Sequence, residues 1–200
     1  MDLETKRLLL RPYEEKDYEE YLACFNDPEL WRMLGYRPFT REEDFRGDFQ
    51  WRLEHPGVTA LVLKETGRVV GHICVGAPDP ATAGREELRG KRGASLSFSL
   101  HRDLRRQGLM SEALEALLDK LLRADELDFV VSGFFSFNAA SAALHRKLGF
   151  RPLFTHKERR GGETVEVIET VLFREYKTPP LQRGSFFHFR KGSRWRTSAR

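Results

Sequence analysis

The sequence predicts one α+β domain of about seven strands interleaved with amphipathic helices. Three observations predict it. Residues 95–122, SLSFSLHRDLRRQGLMSEALEALLDKLL, pass from period-2 alternation through a basic, glycine-containing turn into helical spacing. Two pairs of short apolar runs are joined by glycine-bearing turns, the mark of hairpins. Strands and amphipathic helices otherwise alternate, in the order β-α-α-β-β-β-α-β-α-β-β.

Each element has its own local reason. Thr5 to Pro12 (TKRLLLRP) reads as a short strand closed by a proline. Glu14 to Asn26 carries Tyr18, Tyr21, Leu22 and Phe25 on one side and predicts a first helix, ended by the turn signal Asn26-Asp27-Pro28. Residues 30–39 then read as an aromatic-rich loop with Trp31, Tyr36 and Phe39. A second helix is expected from Thr40, where Thr40 and Glu43 have capping-box spacing, to just before Pro56. Val58 to Lys64 and Arg68 to Val75 form a hairpin across Glu65-Thr66-Gly67. The Pro/Ala/Gly and charge-rich stretch 76–93 is long for a connection and reads as a mobile loop. In the central stretch Leu96, Phe98 and Leu100 alternate with Ser95, Ser97 and Ser99. Leu114, Leu117, Leu118, Leu121 and Leu122 follow as one helical face. Asp128 to Phe135 is a further strand, Ala139 to Leu148 a short helix, and Phe150 to Glu158 with Thr164 to Glu175 a closing hairpin over Arg160-Gly161-Gly162.

Composition narrows the function classes. With 40% hydrophobic and 32% charged residues among 200, the chain reads as one globular domain, residues 1–177, followed by a tail, 178–200. No apolar run suits a bilayer span and the N-terminus does not resemble a signal peptide, so a cytoplasmic protein without membrane contact is expected. Cys24 and Cys74 are too few for a disulfide framework and too scattered for a metal cluster; reduced thiols and no metal are expected. Of the 34 basic residues six lie in the acid-free tail, leaving 28 against 30 acidic ones in the body. The basic balance belongs to the tail.

Strand, basic glycine turn and helix is also how a chain builds an anion site, because the first helical turn offers free amides and the positive end of the dipole. Neither a G-x-x-x-x-G-K-[ST] nor a G-x-G-x-x-G string is present. Residues 105–110, RRQGLM, instead resemble the R/Q-x-x-G-x-G/A signature of the GCN5-related N-acetyltransferases, with Met110 departing from it at the last position. Residues 138–150, NAASAALHRKLGF, are similar to that family's N-x-x-S/A…K-L-G-F segment, and the opening ETKRLLLRPY (4–13) followed by Asp17 resembles the branch of ribosomal-protein N-terminal acetyltransferases. The three strings fall in the family's order, and the resemblance spans Leu3 to about Tyr176.

The resemblance implies a three-layer α+β fold, with a mixed, mostly antiparallel central sheet of about seven strands and helices on both faces, splayed where acetyl-coenzyme A enters as co-substrate. It places the pantetheine arm along Phe98, Ser99 and Leu100, pairing like an added strand. It places the pyrophosphate on the turn formed by Arg105, Arg106, Gln107, Gly108, Leu109, Met110 and Ser111. Asn138 and Ser141 are then expected beside the arm, although Asn138 reads equally as a helix cap.

Acetyl transfer needs a neutral amine, a polarised thioester carbonyl and a proton for the departing thiolate. Many relatives place a tyrosine acid seven residues after the asparagine; here that position is His145, with a plain surface histidine as the other reading. Neither strand expected to flank the cleft carries a carboxylate: one offers Ser97 and Ser99, the other Ser132 and Gly133 where relatives often have Glu. Ser97 or Ser99 holding a water, or His72, are the candidates for removing the amine's proton; solvent-facing serines and a core histidine are the alternatives. Glu112 and Glu115 read as helix surface. The acceptor is expected between the aromatic loop and Trp51 of the second helix. It is a protein N-terminus or a small amine such as an antibiotic or polyamine. A catalytically silent acyl-coenzyme A binder, or an RNA or ribosome contact through the aromatic, basic tail 178–200, are the readings from other classes, in a monomer or homodimer.

Overall fold

The computed structural model describes residues 2–35, 37–124, 127–160 and 162–176. Tyr36, Gly161 and the whole tail 178–200, each part of an expectation above, lie outside them. The described chain forms an open eight-stranded sheet, in keeping with the expected fold of about seven strands. The strand not expected is the two-residue β1, Leu3–Glu4, which lies before the strand read from Thr5 and pairs with β2, Leu8–Arg11. A 3-10 turn, Glu15–Asp17, leads into α1, Tyr18–Phe25.

The first half of the aromatic loop, residues 30–34, is in fact helix. α2, Pro28–Leu34, starts where Asp27 accepts the Glu29 amide at 3.0 Å, has Pro28 in its first turn, and stops at Gly35 with φ +74°. Those are ordinary start and stop signals, hidden because Asn26-Asp27-Pro28 also reads as a turn. α3, Glu42–Glu54, begins without the Thr40 capping box: the N-cap is Arg41, which makes no cap bond and clasps Asp44 instead (Nη2–Oδ1, 2.7 Å).

The hairpin β3, Val58–Leu63, and β4, Val69–Gly76, is where the sequence puts it. The 76–93 connection is packed rather than loose. Asp79 caps the four-residue α4, Pro80–Ala83, and Leu88 is buried with Phe129, Val131, Val171 and Phe173. Then follow β5, Gly93–Leu100, α5, Leu109–Asp119, extended by a π-helical turn to Ala124, β6, Phe129–Phe135, α6, Ala139–Lys147, β7, Arg151–Arg160, and β8, Glu163–Phe173.

Strand order is β1-β2-β3-β4-β5-β6-β8-β7, so the last strand inserts between β6 and β7. α5 buries Leu109, Leu114, Leu117 and Leu118 on one face, with Leu144 of α6 and Leu148 just after it packed against the same cluster. At about 1.5–3 kcal/mol per fully buried large aliphatic side chain, this stripe is what seats α5. The other face carries an aromatic cluster of Tyr13, Tyr21, Phe25, Trp31 and Phe49 contributed largely by α1, α2 and α3. Cys24 and Cys74 are free thiols.

Candidate active site

β5 and β6 are parallel neighbours, yet they pair only at Gly93–Phe129, Ala94–Val130 and Ser95–Val131. Beyond that level β5 keeps to β4 as far as Leu100, while β6 keeps to β8 as far as Phe135. The two strands therefore part, and the backbone edge of Phe98, Ser99 and Leu100 borders the opening. This is the splay the sequence reading expects at that place.

The turn after β5 runs through a 3-10 segment, Arg102–Leu104, and two left-handed residues, Arg106 at φ +64° and Gly108 at φ +78°. Gly108 is the N-cap of α5 and supplies no capping side chain. The first intrahelical bond is Glu112 N to Gly108 O at 3.0 Å, so the amides of Leu109, Met110 and Ser111 precede it and point out of the helix end.

Arg106 and Gln107 are exposed there, but Arg105 is not a free cation. Its Nε donates to Leu100 O (3.1 Å) and its Nη2 to Asp27 (3.3 Å), which makes it a brace between the turn and α2. Two basic residues that the sequence reading passed over reach the turn instead. Arg7 donates to Gln107 O at 2.9 Å, and Lys147 donates to Ser111 Oγ at 2.7 Å. Lys147 lies in the K-L-G-F string and was legible there; Arg7 becomes relevant only once β1–β2 is folded beside α5. Glu112 is no surface residue. It accepts from Thr5 Oγ1 and from the Arg7 amide and Nε at 2.6–2.7 Å. Burial alone pushes its carboxyl up, but these donors together hold it below the ordinary value.

On α6, Asn138 is the N-cap, its Oδ1 accepting the Ser141 amide at 3.0 Å. One turn on, His145 is 3% exposed and enclosed by Phe98, Phe134 and Phe150 at ring distances of 5.7, 4.8 and 5.2 Å. It therefore sits between the parted strands, not on the surface. Its Nδ1 lies 2.8 Å from Ser141 O, and since a carbonyl only accepts, Nδ1 carries the hydrogen. Nε2 then presents a lone pair, and among the described residues it is buried without a partner. Burial lowers the imidazole pKa below 6.5, so the resting ring is neutral.

On the opposite face of the sheet, Ser99 is buried and bonded to His72 Nδ1 at 2.8 Å. His72 is itself fully buried against Phe25. Burial, with the charge of Arg52 adding to it, drives its pKa well below 6.5. Both are thus committed to the core, which removes them as the water-holding or proton-accepting group. Ser97 is exposed, opposite Cys74. The expected acceptor rim also changes: Trp31 is buried with Nε1 donating to Phe25 O (2.6 Å), Phe39 packs on it, and Trp51 lies 43% exposed on His55.

Two histidines held neutral give a stability signature. Below pH 6.5 the unfolded chain binds protons that the folded chain refuses, so stability falls as pH drops. The slope approaches about 1.4 kcal/mol per pH unit for each histidine until its folded pKa is reached. Thermal melts of the wild type and His145→Phe between neutrality and about pH 5 should show the wild type losing stability more steeply. Parallel profiles would contradict the neutral, buried imidazole.

Sequence reasoning missed one further group. Glu169 on β8 stands opposite Gly133 of β6, and a Cβ built on Gly133 lies 2.6 Å from Glu169 Oε1. The carboxylate fills the space of the absent side chain. Burial raises its pKa above 4.5.

Among the described residues no group of His, Cys, Asp and Glu gathers to hold a metal, and no helix is long and apolar enough to cross a membrane. An interrupted parallel ladder leads from a buried imidazole to a glycine-capped helix end. The acetyltransferase (GNAT) domain family matches residues 7–151, and the chain belongs to that family. It is 27% identical over 183 residues to an uncharacterized N-acetyltransferase p20 of Bacillus licheniformis, covering 87% of this chain and 97% of that protein. An acetyltransferase of the GNAT family from Bacillus anthracis superposes with a TM-score of 0.76 at 21% identity, over 88% of this chain and 99% of that one. RimL, a ribosomal L7/L12 α-N-protein acetyltransferase in complex with coenzyme A, gives 0.68 at 20% identity over 86% and 98%. Spermidine N-acetyltransferase from Vibrio cholerae, in complex with coenzyme A and spermine, gives 0.67 at 13% identity over 85% and 97%. These structural likenesses concern the fold.

Proposed function

We propose that this acetyltransferase draws its acetyl group from acetyl-coenzyme A and delivers it to a primary amine, in the first place a protein N-terminus. The observation that carries the reading is the parting of β5 from β6 after three residue pairs, with the bare end of α5 at its outer limit. The residues there suit the co-substrate. Amides 107–111 and the helix dipole would hold a pyrophosphate, aided by Arg106 and Lys147. The edge of Phe98, Ser99 and Leu100 would pair with an extended amide chain, near Asn138 and Ser141. The bound thioester supplies an electrophilic carbon and a thiolate leaving group.

His145 is proposed as the proton carrier at the sulfur. Being neutral at rest, it first takes a proton from the attacking nitrogen at Nε2 and then releases it to the thiolate. Burial of its ring excludes water from that transfer. Ser97, which is exposed, is proposed to hold a water beside the acceptor amine. The domain is taken as residues 1–177 in a cytoplasmic enzyme, with the tail 178–200 as an RNA or ribosome contact. The protein-N-terminal preference rests on the opening string 4–13 and on likeness to the coenzyme A-bound RimL. Likeness to the spermidine enzyme makes a small amine the second reading.

The test is calorimetric titration with acetyl-coenzyme A, followed by thiol release with N-terminal peptides and with polyamines. Binding and faster release with peptides is the expected result. Faster release with polyamines would move the acceptor to small amines, and binding without release from any amine would leave an acyl-coenzyme A binder.

A further inference from the structure

The opening between β5 and β6 has a carboxylate, and it comes from neither strand that lines it. Gly133 faces Glu169 in the β6–β8 register, and a Cβ at Gly133 would lie 2.6 Å from Oε1 and 2.9 Å from both Cδ and Oε2. The glycine is what lets a side chain from the next strand lean across β6. Its level in the sheet is telling. The parallel ladder ends at Ser95–Val131, and two residues further along the same face Ser97 and Gly133 confront each other across the gap. Glu169 therefore reaches the first level at which the strands have parted, on the face covered by α1–α3.

A second, independent observation marks the same opening. One residue on, from the opposite face, the ring of His145 lies 5.7 Å from that of Phe98 and 4.8 Å from that of Phe134, and its buried Nε2 has no partner among the described residues. A proton-accepting carboxylate and a neutral imidazole thus bracket the gap from its two faces.

We propose that Glu169 meets the ammonium group of the acceptor and takes its proton, an assignment that rests on the acetyltransferase reading above. In this step one N–H bond breaks, its electron pair stays on nitrogen, and an O–H bond forms on the Glu169 carboxylate. The proton then passes to water and the free amine is left as nucleophile. Glu169 suits the task because it is half-buried, which raises its proton affinity toward that of an effective base. The titratable groups acting on it are His156 and Glu158 of β7 and Asp79 of the loop before α4; after burial, which raises its proton affinity most, Asp79 and Glu158 raise it further and His156 lowers it. The two carboxylates also make the approach favourable to a cation. The family's usual position for such a group, on β6 itself, is here a serine and a glycine, and the function is carried from the neighbouring strand.

The experiment compares wild type, Glu169→Gln and Gly133→Ala for acetyl-coenzyme A binding, thiol release against pH, and calorimetric binding of spermidine and an N-terminal peptide. Glu169→Gln should bind acetyl-coenzyme A as the wild type does, lose about 100-fold in kcat/KM, and lose the acid limb that Glu169 imposes on the pH profile. Gly133→Ala keeps the carboxylate but displaces it, so it should lower kcat/KM while melting near the wild type. Wild-type kcat/KM and pH profile in Glu169→Gln would overturn the assignment. If the wild type releases no thiol but binds an amine that Glu169→Gln does not, acetyl transfer fails as the reading while Glu169 stands as the amine site. If it neither releases thiol nor binds an amine, both fall.

Discussion

Gly108→Trp is expected to abolish acetyl-coenzyme A binding while the sheet stays folded. Gly108 is the N-cap of α5 at φ +78°, a conformation that costs a residue with a side chain about 1–2 kcal/mol. Its exposed face is the floor of the turn, where the nearest atom to an added Cβ is Arg7 Nη2 at 3.5 Å. An indole there covers the amides of Leu109, Met110 and Ser111. Hydrogen bonds from such amides to a charged group contribute about 1.5–3 kcal/mol each, so losing two of them weakens binding by more than about 100-fold. Calorimetry on both proteins, with thermal melts as the folding control, decides it. Undiminished binding by a folded variant would mean that the phosphate does not sit at this helix end.

Asp17→Ala should produce the largest loss of stability, about 3–5 kcal/mol, with a melting temperature lower by about 10 °C. Asp17 is buried and takes two bonds from Arg11, at 2.6 and 2.8 Å, and the Glu14 amide at 2.9 Å. Removing it strands a guanidinium that is 9% exposed at the end of β2, with only Pro12 O and a 3.5 Å contact to Glu14. Asn at position 17 keeps one acceptor and should lose less. The pair fastens the first turn before α1 to the sheet, hence the aromatic cluster that backs β3 and β4. A fall of under 1 kcal/mol in a denaturant titration would show the pair to be dispensable.

The elements that could be read from the sequence are those whose causes lie within a few residues. Leucines at helical spacing made α5, serine–apolar alternation made β5, and Glu65-Thr66-Gly67 made the β3–β4 hairpin. The glycine turn at 105–111 and the N-to-F string at 138–150 fall in the same class, and with them the family. Where two local signals competed, the reading failed. Asp27-Pro28 was a helix start as well as a turn, and Thr40 lost its capping role when Arg41 bonded Asp44 instead.

The site's chemistry depended on distances along the chain that no local pattern records. His145 is buried because Phe98, 47 positions before it, and Phe134 close around its ring; that burial keeps it neutral, while the Ser141 carbonyl fixes its proton on Nδ1. Arg105 carries a charge in any reading of the sequence, but Asp27 of α2 has claimed it. Glu169 sits in a run, IETV, that looks like any edge strand until β8 inserts beside β6 and Gly133 opens a space for its carboxylate. By itself, then, the sequence determined the strand–turn–helix, the glycine start of α5 and the family. Only the tertiary structure decided which titratable groups lie beside the parted strands, because burial and strand order come from contacts between residues far apart in the chain.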